Sequence, residues 1–410
     1  MDRPKIRAVE AFPIDDVASK TRLVCLRDPL GYASQPIGLG IDAYYLVTLF
    51  DGNHSLEEIA RSFARRFGEQ IELGRLRELV NALDSAYYLD SPRLAARIEE
   101  LRAEFQRGPT RAAVHAGLCY ESEPTRLRAE LAAWFDPPEG PGRSSARKPG
   151  VTPAGIIAPH IDPRRGGAAY AHAYAELMGR NPPELFIILG TSHYGVGPEL
   201  FSATLKDYAT PFGSVETDRD FINRLKARYN GDLLAEELLH RNEHSIEFQA
   251  LFLAWVLGTR GYKVVPILVS SFHQMVIGGE LPARHPRVAS FLDSIRTELA
   301  RDGRKVCIIA GVDFAHVGKK FGDPFAADEN VTGELRGEDE ALIEIISRGD
   351  PDGFFGAIER VKDRRRICGL APMYTQLELL RGRTGRLLRY GLAPEPQTES
   401  AVSFASLAID

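Results

Sequence analysis

The chain has 410 residues, 44% hydrophobic and 26% charged, with a formal charge of -5; this globular balance leaves room for one large and one smaller domain and gives no reason to expect nucleic acid as a partner. Four cysteines at 25, 119, 307 and 368 form no CxxC pair, which argues against a disulfide scaffold or a thiolate zinc site. With no signal-peptide core and no 18-residue apolar run, the expected location is cytoplasmic, with no membrane contact.

A small unit is expected over 20–95. "IDAYYLVTLFDGNHS" reads as an apolar helix ended by Asp51-Gly52. In "SLEEIARSFARRFG" the stripe Leu56, Ile59, Ala60, Phe63 and Phe67 predicts a second helix, with Ser55 and Glu58 as its capping box. Leu76, Leu79, Val80 and Leu83 repeat the period, and "AYYLDSP" reads as a hairpin. Three helices and a hairpin describe a winged-helix-like α+β domain. Residues 96–152 read as a helical connector whose last part, 136–152, is rich in proline, glycine and basic residues and reads as a linker.

The texture changes over 153–410. "AGIIAPH", "LFIILGTSH", "KVVPILVS" and "KVCIIAGVD" are apolar, β-branched runs separated by helical patterns. This is an α/β signature: a central, mainly parallel or mixed sheet flanked by helices. Strands are expected last, at 384–391 and 401–408.

Open α/β sheets bind ligands beyond the carboxyl ends of their strands. His160 follows "GIIAP", His193 follows "FIILG", and Asp313 and His316 follow "VCIIAG". Three strands thus deliver imidazoles with one grammar, and imidazoles with carboxylates suit Fe(II), Zn(II) or Cu(II). Asp162 and Asp313 are candidates to fix histidine tautomers. In "HRNEHSIEFQALFLAW", His244 falls near a helix N-terminus, where it orients an anion or donates a proton, with Asn242 or Ser245 as the N-cap. The motif is not HExxH, and His240 reads as a surface cap. Cys368 precedes or opens the helix in "GLAPMYTQLELL". Helix position and the run Arg364, Arg365, Arg366 would favour a thiolate there, whereas a buried small hydrophobe fits the local pattern equally well. Cys307, inside a strand, reads as core.

Taken together, "GIIAPHIDPRRGG", "ILGTSHYG", "TPFGSVETD", "NEHSIEFQALFL", "VVPILVS", "GVDFAHVGKKFGD" and "ICGLAP" resemble the MEMO-like family over about 150–393. Its bacterial and archaeal members are called AmmeMemoRadiSam system protein B. The resemblance implies a fold like that of class III extradiol, nonheme-iron dioxygenases. It also implies a divalent metal, iron or copper rather than zinc, on His160, His193 and Cys368. His244, Asp313 and His316 would then serve acid–base chemistry, Asp313 orienting His316, while Arg364 and Arg365 would receive an anionic substrate group. The dioxygenases use two histidines and a glutamate, so the cysteine puts dioxygenase activity in doubt. The system name implies a radical-SAM protein and an AMMECR-domain protein as partners. "LFDGNHSLEEIARSF" and "LVNALDSAYYLDSP" resemble PqqD-like winged-helix modules, which implies a peptide ligand for the N-terminal domain.

Two functional classes follow. One is a metal-dependent oxidoreductase. The other is a non-catalytic peptide- or protein-binding scaffold that partners a radical-SAM protein.

Overall fold

A computed structural model describes residues 1–16, 21–142, 152–178, 181–195 and 197–410. The linker expected over 136–152 falls largely outside them. The chain divides into two compact units, Met1–Gly108 and Pro109–Asp410.

The first unit opens with an antiparallel sheet of β1 (Glu10–Asp16), β2 (Thr21–Arg27) and β3 (Ile37–Leu39). Four helices follow: α1 (Ile41–Thr48), α2 (Leu56–Phe67), α3 (Leu73–Ser85) and α4 (Pro92–Arg107). The Ser55–Glu58 capping box forms as expected, and Gly68 closes α2 at φ 75°. Leu26, Phe50, Ile59, Leu76, Val80 and Tyr88 build the core. The hairpin expected at "AYYLDSP" is absent. Ser91 caps α4 and Pro92 takes its first turn, where a missing N–H costs nothing, while Leu89 makes one antiparallel bridge back to Ile6. The sheet therefore precedes the helices, and α4 takes the first part of the expected connector.

The larger unit begins with β4 (Thr110–Arg111) and α5 (Pro124–Phe135), both inside the span read as a connector. The elements that build the main layers are β5 (Gly155–Ala158), α6 (Pro163–Ala175), β6 (Leu185–Thr191), β7 (Phe201–Ala203), β8 (Asp207–Thr210), β9 (Gly213–Val215) and α7 (Arg219–Lys226). They continue as α8 (His244–Leu257), β10 (Lys263–Val269), α9 (His273–Gly278), α10 (Pro286–Arg301), β11 (Val306–Gly311) and β12 (His316–Gly318). Last come α11 (Glu329–Ser347), α12 (Pro351–Arg360), α13 (Leu370–Leu379), β13 (Gly385–Glu395) and β14 (Ser400–Ile409).

The eight-stranded sheet runs β12-β14-β5-β11-β6-β10-β7, with β13 added on β14. The inner strands β5, β11, β6 and β10 are parallel neighbours; β14 and β7 flank them antiparallel. Alternate residues face opposite cores. Ile157, Ile187, Leu189 and Ile308 meet the side that carries α10, α12 and α13. Ile156, Phe186, Ile188, Cys307 and Ile309 meet α5, α6 and α8. Burial on both faces explains why these strands read as unbroken apolar runs. In sheet order β5, β11 and β6 are adjacent, so the three histidine-bearing strand ends open onto one rim.

Candidate metal centre

Close approach of α8 to the sheet shapes the rim. Gly190 ends the apolar part of β6, and a Cβ there would lie 2.6 Å from Ile246 Cγ1 and from Ser245 Oγ. At Gly311, the end of β11, a Cβ would meet Gln249 Nε2 at 2.6 Å and the Ser245 carbonyl at 2.7 Å. Glycine at both strand ends therefore lets the first turn of α8 sit against them. Ser245 Oγ donates to the Thr191 carbonyl at 2.9 Å, and Gln249 Nε2 to the Pro159 carbonyl at 3.0 Å, which ties the loops carrying His193 and His160 to one helix.

Three imidazoles converge there. One ring nitrogen from each of His160, His193 and His244 lies within 4.8 Å of the others. Ring centroids are 4.8 Å apart for His160–His193, 5.2 Å for His160–His244 and 4.7 Å for His193–His244. His160 Nδ1 donates to the Gly311 carbonyl at 3.0 Å, and His193 Nδ1 donates to Glu243 Oε1 at 3.0 Å. His244 Nδ1 lies 3.3 Å from the same Glu243 oxygen. With Nδ1 protonated, the neutral rings of His160 and of His193 keep the lone pair on Nε2. Glu243 is also the N-cap of α8, accepting from Ser245 N. Neither Asn242 nor Ser245 has that role.

Cys368 and Asp313 complete the near surroundings. Cys368 Sγ is 3.2 Å from His160 Nε2 and 3.7 Å from the Asp313 carbonyl oxygen. Asp313 Oδ1 accepts from the backbone N–H groups of His160 (3.0 Å) and Ile161 (3.2 Å), while Oδ2 lies 3.6 Å from His160 Nε2. Asp313 thus shapes the His160 loop. Burial pushes its carboxyl up to about 7 despite the two N–H bonds. Burial, then the neighbouring His193 and His244, hold His160 well below the usual histidine range, and burial takes His244 down to about 3. Neutral imidazoles are the form that donates to a metal. Burial would raise the Glu243 carboxyl, but the neighbouring His193 and its hydrogen bond, then His244 and the Ser245 N–H, hold it well below the usual carboxylate range.

Several expectations change. His244 joins His160 and His193 in the convergent set instead of standing off as an acid or base. Cys368 is not a low-pKa thiolate, because burial and then the Asp313 charge push its thiol well up. The arginines do not offset this. Arg364 pairs with Glu338, and Arg365 is buried on Asp339 (2.6 Å) and Glu338 (3.2 Å), so neither lines the rim as a substrate contact. His316 is not oriented by Asp313; its Nδ1 bonds the Arg366 carbonyl at 3.2 Å, and burial, then His193, lowers it to about 4. Asp162 caps α6 through Arg164 N. His240 is no surface cap: fully buried, it accepts from Tyr208 Oη (2.9 Å) at Nδ1 and donates from Nε2 to the Ser202 carbonyl (3.0 Å).

A cavity of about 330 Å³ opens beside the cluster. His193 and Cys368 line it, together with the apolar Val269, Phe272, Val276 and Leu370. Ser192 also lines it, and its buried hydroxyl has no hydrogen-bond partner among the described residues. Arg366, held by Asp323 at 2.8 Å, is the member of the arginine run that reaches this cavity.

The sequence reading missed a second buried layer. Arg111 spans the base of α8: its Nε bonds the His240 carbonyl (2.9 Å), one terminal nitrogen bonds the Glu243 carbonyl (2.9 Å), and the other pairs with Glu247. Glu247 also accepts from His115 Nδ1 (2.8 Å) and Tyr120 Oη (2.5 Å). Arg111, His115 and Tyr120 come from a segment without strand or helix periodicity, so only their residue types could have flagged them.

The sequence profile of the family described as Memo-like protein matches residues 111–408. A MEMO1 family protein of Aquifex aeolicus is 28% identical over 408 residues, 99% of each chain, so that similarity takes in the N-terminal unit as well. A MEMO1 family protein of Methanopyrus kandleri is 30% identical over 279 residues, 67% of this chain and 89% of its own. The protein memo-1 homolog of Caenorhabditis elegans is 28% identical over 272 residues, 66% of this chain and 71% of its own. With a match that begins at Arg111 and runs through the whole histidine rim, the chain belongs to the Memo-like family.

Proposed function

We propose that His160, His193 and His244 hold one divalent transition metal, and that the protein is a metal-dependent oxidoreductase acting on a small molecule in the adjoining cavity. The observation that carries this is the convergence of three imidazoles within 4.8 Å, from three separate elements. The donor set fits a cation: burial keeps His160 and His244 neutral, and Glu243 supplies negative charge behind the rings. Nitrogen donors beside a sulfur at 3.2 Å from His160 suit iron or copper better than magnesium, and we favour either over zinc. Bound there, such a metal would supply redox chemistry with positions open to exchangeable ligands.

The chain's own residues would do the rest. Glu243 fixes the His193 ring and lies beside that of His244, Asp313 holds the His160 loop, and the apolar wall of the cavity excludes water from a bound molecule. The protein should take up close to one iron or copper ion per chain on anaerobic loading, measured by elemental analysis and electron paramagnetic resonance. Joint replacement of His160 and His193 by alanine should abolish uptake. Stoichiometric metal in that double variant would sink the assignment.

A second reading has its own observation. On the N-terminal unit Ile41 is 61% exposed and Phe67 38%, and the Phe67 ring stacks edge-on against Tyr45 at 5.4 Å. Such a surface suits a peptide ligand and a scaffold role beside a radical-SAM protein or an AMMECR-domain protein. Capture of either partner that persists after metal removal and in the His160/His193 double variant would favour it.

A further inference from the structure

Glu243 and Glu247 lie four residues apart at the start of α8 and are both fully buried or nearly so. Each fixes an imidazole through Nδ1. Glu243 does so for His193 and lies 3.3 Å from His244 Nδ1. Glu247 does so for His115, at 2.8 Å, and its other oxygen accepts the His115 backbone N–H at 3.0 Å. Arg111 and Tyr120 both donate to the Glu247 carboxylate, so it can only accept from His115. Nδ1 is thereby the nitrogen that carries the proton, and in the neutral ring Nε2 carries a lone pair.

The ring of His115 meets that of His244 edge-on at 5.8 Å between centroids, and Phe248 packs against both, at 5.6 Å and 5.4 Å. His115 is thus a ring neighbour of His244, one member of the convergent three. His115 falls outside the group of three whose nitrogens converge, and its side chain is 19% exposed while Glu247 is at 0%. It is therefore too distant to be a fourth ligand of the same ion. Its ring lies beside the cluster without joining it.

We infer that His115 is a fourth working imidazole of this site, whose Nε2 accepts a hydrogen bond from an N–H or O–H group of the small molecule held at the three-histidine cluster. The inference rests on the metal reading proposed above. It also gives the ligand a chemical class: a molecule that offers one donor atom to the metal and a second, protic group toward His115.

Imidazole and 1-methylimidazole make a matched pair of probes, since both offer a ring nitrogen to a metal and only the first keeps an N–H. Each would be titrated into cobalt(II)-loaded protein and followed by visible absorption. In the His115→Phe variant, imidazole should bind roughly three- to tenfold more weakly, the worth of one hydrogen bond. The affinity for 1-methylimidazole and the cobalt content should stay within about twofold of the parent on the same grounds. In the His115→Gln variant, whose amide oxygen can accept, imidazole binding should partly recover. Equal weakening of both probes, or of neither, overturns the inference and leaves metal binding standing. Loss of cobalt in both His115 variants would assign the ring a purely structural role and also overturn it. Failure of the parent protein to take up cobalt would instead strike the metal reading, and the inference with it.

Discussion

Glu243 performs three tasks with one carboxylate: it caps α8, fixes His193 through two contacts, and lies 3.3 Å from His244 Nδ1. A carboxylate suits the place because a pure acceptor beside Nδ1 keeps the proton there and leaves Nε2 of the neutral ring as the lone-pair nitrogen. Glu243→Gln keeps the shape but lets the amide NH₂ face an Nδ1, which invites the wrong tautomer. Metal affinity should fall about 10- to 100-fold, the range seen when supporting partners of ligating histidines are changed, while circular dichroism stays that of the parent. A competition titration with a chromophoric chelator measures the fall. Unchanged affinity would show that Glu243 acts only as a helix cap. His193 was legible in the sequence because a strand of apolar residues ends on Gly190 just before it. The carboxylate behind it was not, because "RNEHSIE" offers several polar residues that could each cap a helix.

α8 ties the site together, and its buried charge explains both its position and why the sequence concealed it. Its residues from Ser245 to Ala254 are all buried, so it reads as an apolar helix with two unexplained glutamates at its start. The partners of Glu247 are Arg111, His115 and Tyr120, more than a hundred positions earlier, and no local pattern announces pairings of that range. The strands, by contrast, announced themselves, since burial on both faces demands uninterrupted apolar runs. So the sheet and the three strand-end histidines could be read, whereas the network beneath them and the place of residues 109–142 in the larger unit could not. Removal of one partner of a buried pair leaves the other uncompensated, so Arg111→Met should destabilise the protein by about 3–5 kcal/mol in urea unfolding. Glu247 shows the same coupling: burial would raise its carboxyl, but Arg111, with His115 and Tyr120, takes it from the ordinary 4.5 to about 2. A lowered folded-state value means that this stabilisation is complete above about pH 4.5 and is lost as the pH falls through about 2. The parent should therefore lose stability over that acid window, and Arg111→Met should lose less of it there. An equal acid dependence in both proteins would exclude the pair as its source.

At the scale of the whole molecule, each unit has a core of its own: one drawn from residues between Ile6 and Leu89, the others from residues beyond Tyr120 and their immediate neighbours. The proposed metal touches only the larger unit, and the chain carries a spectroscopic label for that unit alone. Its two tryptophans are Trp134 and Trp255. Trp134 stacks on Phe252 of α8 at 6.0 Å, and Trp255 lies on α8 itself, against Phe135. Tryptophan fluorescence therefore reports the helix whose first turn carries Glu243 and His244. A ligand that binds only the folded state adds about 4 kcal/mol at a thousand times its dissociation constant. For a unit of this size that corresponds to roughly 5–15 °C in the fluorescence-detected midpoint. Addition of a strong chelator to loaded protein should lower the midpoint by that amount, and readdition of iron or copper should restore it. The His160→Ala/His193→Ala variant should melt at one temperature whether or not metal is present. A midpoint that ignores the metal in the parent, or follows it equally in the double variant, would place any bound ion away from the histidine rim.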